Sequence, residues 1–366
     1  MFNFFRRFTR GSRGLAAAAL VTLALAGAAI GAPKASASPM CQWQPLQLAN
    51  GWQSQQNVWD SGDPAYCIDG GVVYLSGSLA HPGTSGSYFA QLPPQARPAS
   101  NVYLTVYTYA GASGVLYINA NGTMYAMGSA ASSFTSLAGV SFTAASTAIT
   151  PISLENGWQS SQSQWSTGDP SYYVSGGMVH LSGSVYRPGA FISAEIGVLP
   201  PGARPAQNEV MSVYGYGGAT VVLVVWTDGS VAVGGGPSAQ FTSLAGATFA
   251  IASPGGQPVG QPLPLENGWK SGQDVTQAGQ PRYSIVNGVV YLDGAIFNNG
   301  TGAFAVLPPE ARPAHTLYLT VGDDELNPAV LRIQPDGQMF TYGGPAGTYT
   351  GTDITGLSGI SYEVGS

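Results

Sequence analysis

The feature that most constrains this chain is a single passage written three times. "LANGWQSQQNVWDSGDPAYCIDGGVVYLSGS" begins at Leu48, "LENGWQSSQSQWSTGDPSYYVSGGMVHLSGS" at Leu154 and "LENGWKSGQDVTQAGQPRYSIVNGVVYLDGA" at Leu265. Each is closed by a matching phrase, "SFTSLAGVSF", "QFTSLAGATF" or "DITGLSGISY". Trp52, Trp158 and Trp269 open the units, and Phe142, Phe249 and Tyr362 nearly close them. Repeats of roughly 100 residues bury a core of their own, unlike solenoid repeats that need neighbours to do so. The chain therefore divides into units at 38–146, 147–253 and 264–366, with a Pro/Gly-rich linker at 254–263.

Within a unit the hydrophobic period is two. In "VVYLSG", "MVHLSG" and "VVYLDG" the positions Val73/Leu75, Val179/Leu181 and Val290/Leu292 are always aliphatic. The interleaved Tyr74/Ser76, His180/Ser182 and Tyr291/Asp293 predict a wetter second face. Asn121-Gly122, Asp228-Gly229 and Asp336-Gly337 sit between further alternating runs and predict tight hairpins. No stretch carries a 3.6-residue period. The expected fold class is all-β: three tandem β-sandwich, jelly-roll-like modules.

"LPPQARP", "LPPGARP" and "LPPEARP" recur between predicted strands. Three prolines in seven residues fix φ and remove donors, so the phrase predicts a rigid, extended crossover. Arg97, Arg204 and Arg312 are read as structural, capping loop carbonyls or pairing an acid, as are the opening Trp52, Trp158 and Trp269.

Residues 1–37 have the form of a signal peptide: a basic start, an apolar run and Ala35-Ser36-Ala37 as a cleavage site. Removing them leaves seven Lys/Arg against eighteen Asp/Glu, a balance of −11. Such a surface repels phosphate, so no nucleic-acid partner is expected and anionic membranes are poor partners. No other apolar run is long enough to span a bilayer. The expected location is extracellular or at the cell surface. There the two cysteines, Cys41 and Cys67, are expected to form a disulfide.

The ordered set "NGW", "P-x-Y", "G-V-V-Y-L-x-G", "LPxxxRP", a "dG" hairpin and a closing "sLxGisf" resembles the C-terminal head domains of tailed-phage tail-fibre and receptor-binding proteins, and related modules of bacterial secreted proteins. The resemblance covers nearly all of residues 47–366, three times over. It implies compact β-sandwiches that assemble as trimers and bind host-surface glycans or proteins. Two departures stand out: this chain begins with an export signal and carries three heads in tandem. One chain then has three arrangements open to it. An intramolecular pseudo-trimer would bring Tyr74, His180 and Tyr291 near its axis; the alternatives are beads on a string or a homo-oligomer.

Comparison among the units separates scaffold from variation. The three histidines, His81, His180 and His315, fall at unrelated places, and no nucleophile–base set, zinc motif or phosphate loop is present. Paired carboxylates at fixed spacing are also missing, so neither an enzyme nor a cofactor is expected. Asp323, Asp324 and Glu325 form a weak calcium candidate. Aromatics that one unit dispenses with are the candidate ligand-binding residues. Trp59 and Trp165 give way to Thr276, Tyr107/Tyr109 and Tyr214/Tyr216 to Gly322/Asp324, and Trp226 to Asn119 and Gln334. These point to a secreted, non-enzymatic adhesion protein recognising a cell-surface glycan or protein. The alternatives are a structural surface or matrix protein and, remotely, an extracellular glycoside hydrolase.

Overall fold

The computed structural model describes residues 41–83, 88–189, 193–273, 278–297, 300–322, 328–343 and 354–364. The leader, the carboxylates Asp323–Glu325 and Thr276 lie outside these residues. The fold is all-β, with nine antiparallel sheets among the described residues that repeat three strand orders. In the first unit, one sheet runs Gln44–Pro45, Ala65–Asp69, Val72–Ser76, Ser141–Thr143. A small one runs Thr135–Ser136, Ser78–Ala80, Gln53–Ser54. The third runs Ala90–Gln91, Thr123–Met127, Ser113–Ile118, Val102–Tyr107. The other two units reproduce these orders with their own strands. In the third unit the first sheet begins at Gln261–Pro262, inside the segment read as linker.

Each unit has its own core between its sheets. Val73, Leu75, Leu104, Leu116, Ile118 and Met124 meet in the first, and equivalent residues meet in the second and third. The proline phrase corrects one expectation. It is not extended throughout: Pro94–Ala96, Pro201–Ala203 and Pro309–Ala311 each make one 3-10 turn. Proline at the first position presets the φ of such a turn, and the proline after each arginine returns that arginine to extended backbone. The Nε of Arg97, Arg204 and Arg312 donates to the carbonyl of Leu92, Leu199 and Leu307 at 3.0, 3.0 and 2.9 Å. The leucine N–H of each phrase in turn bonds to Gly122, Gly229 or Gly337, so the phrase is stapled to the hairpin.

A second expectation is overturned. The interleaved face of the central strand is not wetter: all five residues of Val72–Ser76 and of Val289–Asp293 are buried. Other units cover that face. Tyr74, Met178, Ala250, Val289 and Tyr291 form one apolar cluster drawn from all three units. The Tyr74 and Tyr291 hydroxyls share a hydrogen bond of 2.7 Å, and the His180 ring lies 6.5 Å from that of Tyr291. Burial pushes Tyr291 up to about 12 and holds His180 down to about 4, so both are neutral here. The Cys41–Cys67 disulfide adjoins this cluster, with a Glu363 carboxylate oxygen 3.2 Å from Cys67 Sγ.

The units close head to tail. Unit one donates Asn101 N–H to Ser166 of unit two (2.8 Å), and unit three donates Thr316 N–H to Asp60 of unit one (2.7 Å). At the third seam Gly279 N–H of unit three bonds to Asn208 of unit two (3.0 Å). The glycine of each closing phrase is required here. A Cβ on Gly139, Gly246 or Gly359 would run into Leu319, Leu104 or Met211 of the neighbouring unit, and all three have positive φ.

Candidate functional site

Two of these seams carry matching aromatic clusters. A single helical turn, Gln56–Trp59, presents Trp59 and ends on Asp60 in left-handed backbone. The turn Gln162–Trp165 presents Trp165 and ends on Ser166 in the same way. Beside each stands a 3-10 turn, Tyr109–Gly111 or Tyr216–Gly218. Its tyrosine N–H is tied to the carbonyl of Phe134 (3.2 Å) or Phe241 (3.0 Å). The neighbouring unit supplies the remaining wall, Tyr318 or Tyr103.

The two clusters agree closely. Trp59 lies 6.1 Å from Tyr109, 5.5 Å from Phe134 and 6.3 Å from Tyr318, ring centre to ring centre, all edge to face. Trp165 lies 6.0 Å from Tyr216, 5.3 Å from Phe241 and 6.3 Å from Tyr103, again edge to face. Tyr107 stacks on Tyr318 and Tyr214 on Tyr103, each at 5.6 Å. Such pairs are favoured by the ring quadrupole by about 0.5–1.5 kcal/mol beyond area burial. What remains open to solvent is the outer edge of each cluster. Trp59 is 37% exposed, Tyr109 47% and Tyr216 44%, while Trp165 is half-buried.

Of the candidate residues named from sequence, Trp59, Tyr107 and Tyr109 thus meet at one seam, and Trp165, Tyr214 and Tyr216 at another. Trp226 belongs to neither. It is half-buried on the connection between strands Thr220–Val225 and Ser230–Gly234. The opening tryptophans are buried scaffold: Trp52 and Trp269 touch Phe89 and Phe304, and Trp158 Nε1 donates to Ser193 at 3.0 Å.

Tyr103, Tyr318, Phe134 and Phe241 were missed from sequence. Tyr103 and Tyr318 sit on strands Val102–Tyr107 and Leu317–Gly322, and Phe134 and Phe241 stand just before Thr135–Ser136 and Thr242–Ser243, places that read as scaffold; the one available signal was their shared loss in a single unit pairing.

The rims differ. At Trp59, the exposed Asp60 carboxylate lies 3.6 Å from Nδ1 of the half-buried His315 of the neighbouring unit. At Trp165 the equivalent contact is neutral, with Asn101 Nδ2 donating to the Trp165 carbonyl at 3.3 Å. Chemically these surfaces offer ring edges, hydroxyls and amides. One grouping of metal-ligand type occurs among the described residues, Cys41, Cys67 and Glu363, and its sulfurs are joined in the disulfide. A disulfide has no thiolate to give a metal.

No family model and no curated protein matches the chain. Among solved structures, the BP39L lectin from Burkholderia pseudomallei is 13% identical over 80% of this chain and 82% of its own, with a TM-score of 0.14. That score carries no argument about ligand or fold.

Proposed function

We propose that this is a secreted, non-enzymatic binding protein that recognises glycans at the two aromatic seams. The observation that carries the reading is the pair of clusters that reproduce one another to within 0.2 Å, each leaving a Trp–Tyr edge in solvent. Partly exposed rings beside hydroxyls and amides bind the apolar faces of sugars while hydrogen-bonding their hydroxyls. The disulfide, and the lack among described residues of a helix long and apolar enough to cross a membrane, are compatible with an extracellular location. The resemblance of the repeats to phage receptor-binding heads points the same way.

A second reading has its own support. The inner part of each cluster glues neighbouring units together, as a purely structural protein would require. A glycan array separates the two. The first reading expects binding to a defined set of glycans, weakened at least about tenfold by Tyr109→Ala combined with Tyr216→Ala. These rings are exposed and their removal leaves the seams packed. Absence of glycan binding by the folded wild-type protein favours the structural reading.

A further inference from the structure

The third seam contains a feature that the other two lack. Glu209 of unit two is fully buried, and Ser358 Oγ of unit three donates to its Oε2 at 2.7 Å. The same Oγ lies 3.2 Å from Asp293 Oδ1, and Asp293 is also buried. One hydroxyl has one proton. Given to Glu209, it leaves Asp293 with the Gly294 N–H at 3.1 Å, and no donor faces Glu209 Oε1. Arg282, opposite Asp293 in the strand pair, sends Nη1 to the Gly260 carbonyl at 2.8 Å. Two carboxylates thus meet in a buried seam, with no cation among the described residues hydrogen-bonded to either, an arrangement that disfavours two negative charges.

We propose that Glu209 and Asp293 share one proton, and that this proton holds the seam between units two and three closed. Removing it opens the ring there while the other two seams stay shut. Burial, then the Asp293 charge, holds the Glu209 carboxyl well above its ordinary value near 4.5. The stabilisation from a raised carboxyl is complete below about 4.5 and is lost as the pH rises through the folded value. A cation in place of the proton fits less well, because the Gly294 N–H points at both Asp293 Oδ1 and Ser358 Oγ. At the equivalent places the other seams hold Val102 against Ala245 and Leu317 against Ala138, which do not titrate.

Hydrogen exchange on the intact chain at pH 6 and pH 9, corrected for intrinsic rates, tests this. Protection of the Gly279 amide should fall by at least about tenfold, while the Asn101 and Thr316 amides keep theirs. Glu209→Gln keeps a donor toward Asp293 and should abolish the difference. Should that variant not fold, Glu209→Val with Asp293→Ser and Ser358→Ala writes the first seam's residues into the third and should do the same. Equal protection at all three seams, or an undiminished loss in these variants, overturns the proposal. So does protection at pH 9 that calcium alone restores, which would make the pair a metal site.

Discussion

Two seams of this molecule are built from rings and the third from aliphatic side chains and acids. Between units one and two, Tyr103 meets Trp165, Tyr214 and Phe241; between three and one, Tyr318 meets Trp59, Tyr107 and Phe134. Between two and three the same strand position is Val210, packed with Ala278, Ala295 and Ile354. Gly322 replaces the stacking tyrosine, and a Cβ there would run into Ser212 of unit two. The aromatics leave together because a seam packs as one body: removing one ring leaves its partners facing a void. Variation among repeats is therefore no sign of recognition by itself. Here it records which surfaces must match.

The comparison can be broken most severely at its centre. Phe241→Ala, which strips the wall shared by three rings, should cost about 3–5 kcal/mol, and Ile354→Ala at the aliphatic seam about 2–3. Denaturation midpoints of the two variants measure this, and equal losses would mean that the rings add nothing beyond volume.

At the axis, where all three units meet, Tyr291→Phe should cost about 1–3 kcal/mol by stranding the buried Tyr74 hydroxyl. The double change Tyr74→Phe, Tyr291→Phe should recover most of that, read as a double-mutant cycle in thermal stability.

The pH profile sharpens the contrast between neutral rings and buried titrating groups. His180, held down to about 4, contributes stability present above its ordinary 6.5 and lost as the pH falls through about 4. Glu363, pushed up to about 7 chiefly by burial, contributes stability complete below 4.5 and lost as the pH rises through about 7. With Glu209 also raised, two carboxyls lose stability above about pH 4.5 against the one histidine that gains it, so the thermal midpoint should be highest near pH 4.5. His180→Tyr, the residue the other units carry, should flatten the acid limb, and Glu363→Gln should lessen the alkaline one. The smallest effect belongs to the Asp60–His315 pair at the seam's rim: His315→Ala should cost less than about 1 kcal/mol, and a larger loss would give that seam an ionic contribution its neutral twin lacks.

Much of this was legible before any coordinates. Alternation at Val73/Leu75 and its counterparts placed a core face correctly, and Asn121-Gly122 marked a hairpin whose N–H of Gly122 returns to Asn119 at 2.8 Å. Tyr74, His180 and Tyr291 were read as a wetter face because tyrosine, histidine and serine tolerate water. Their burial comes from residues a hundred or more positions away, which no local period reports. Glu209 was overlooked for the same reason. On a strand, a lone acid opposite Val225 reads as solvated until Asp293 and Ser358 arrive from another unit.

By itself, the chain determined the β architecture, its threefold recurrence, the turns and the cysteine pairing, since each is encoded within a few neighbouring residues or admits one solution. Tertiary structure alone decided which rings meet, which glycines must be bare and where two carboxyls converge. Those depend on the angle at which distant units close on one another, a quantity set by whole surfaces and not by any short stretch.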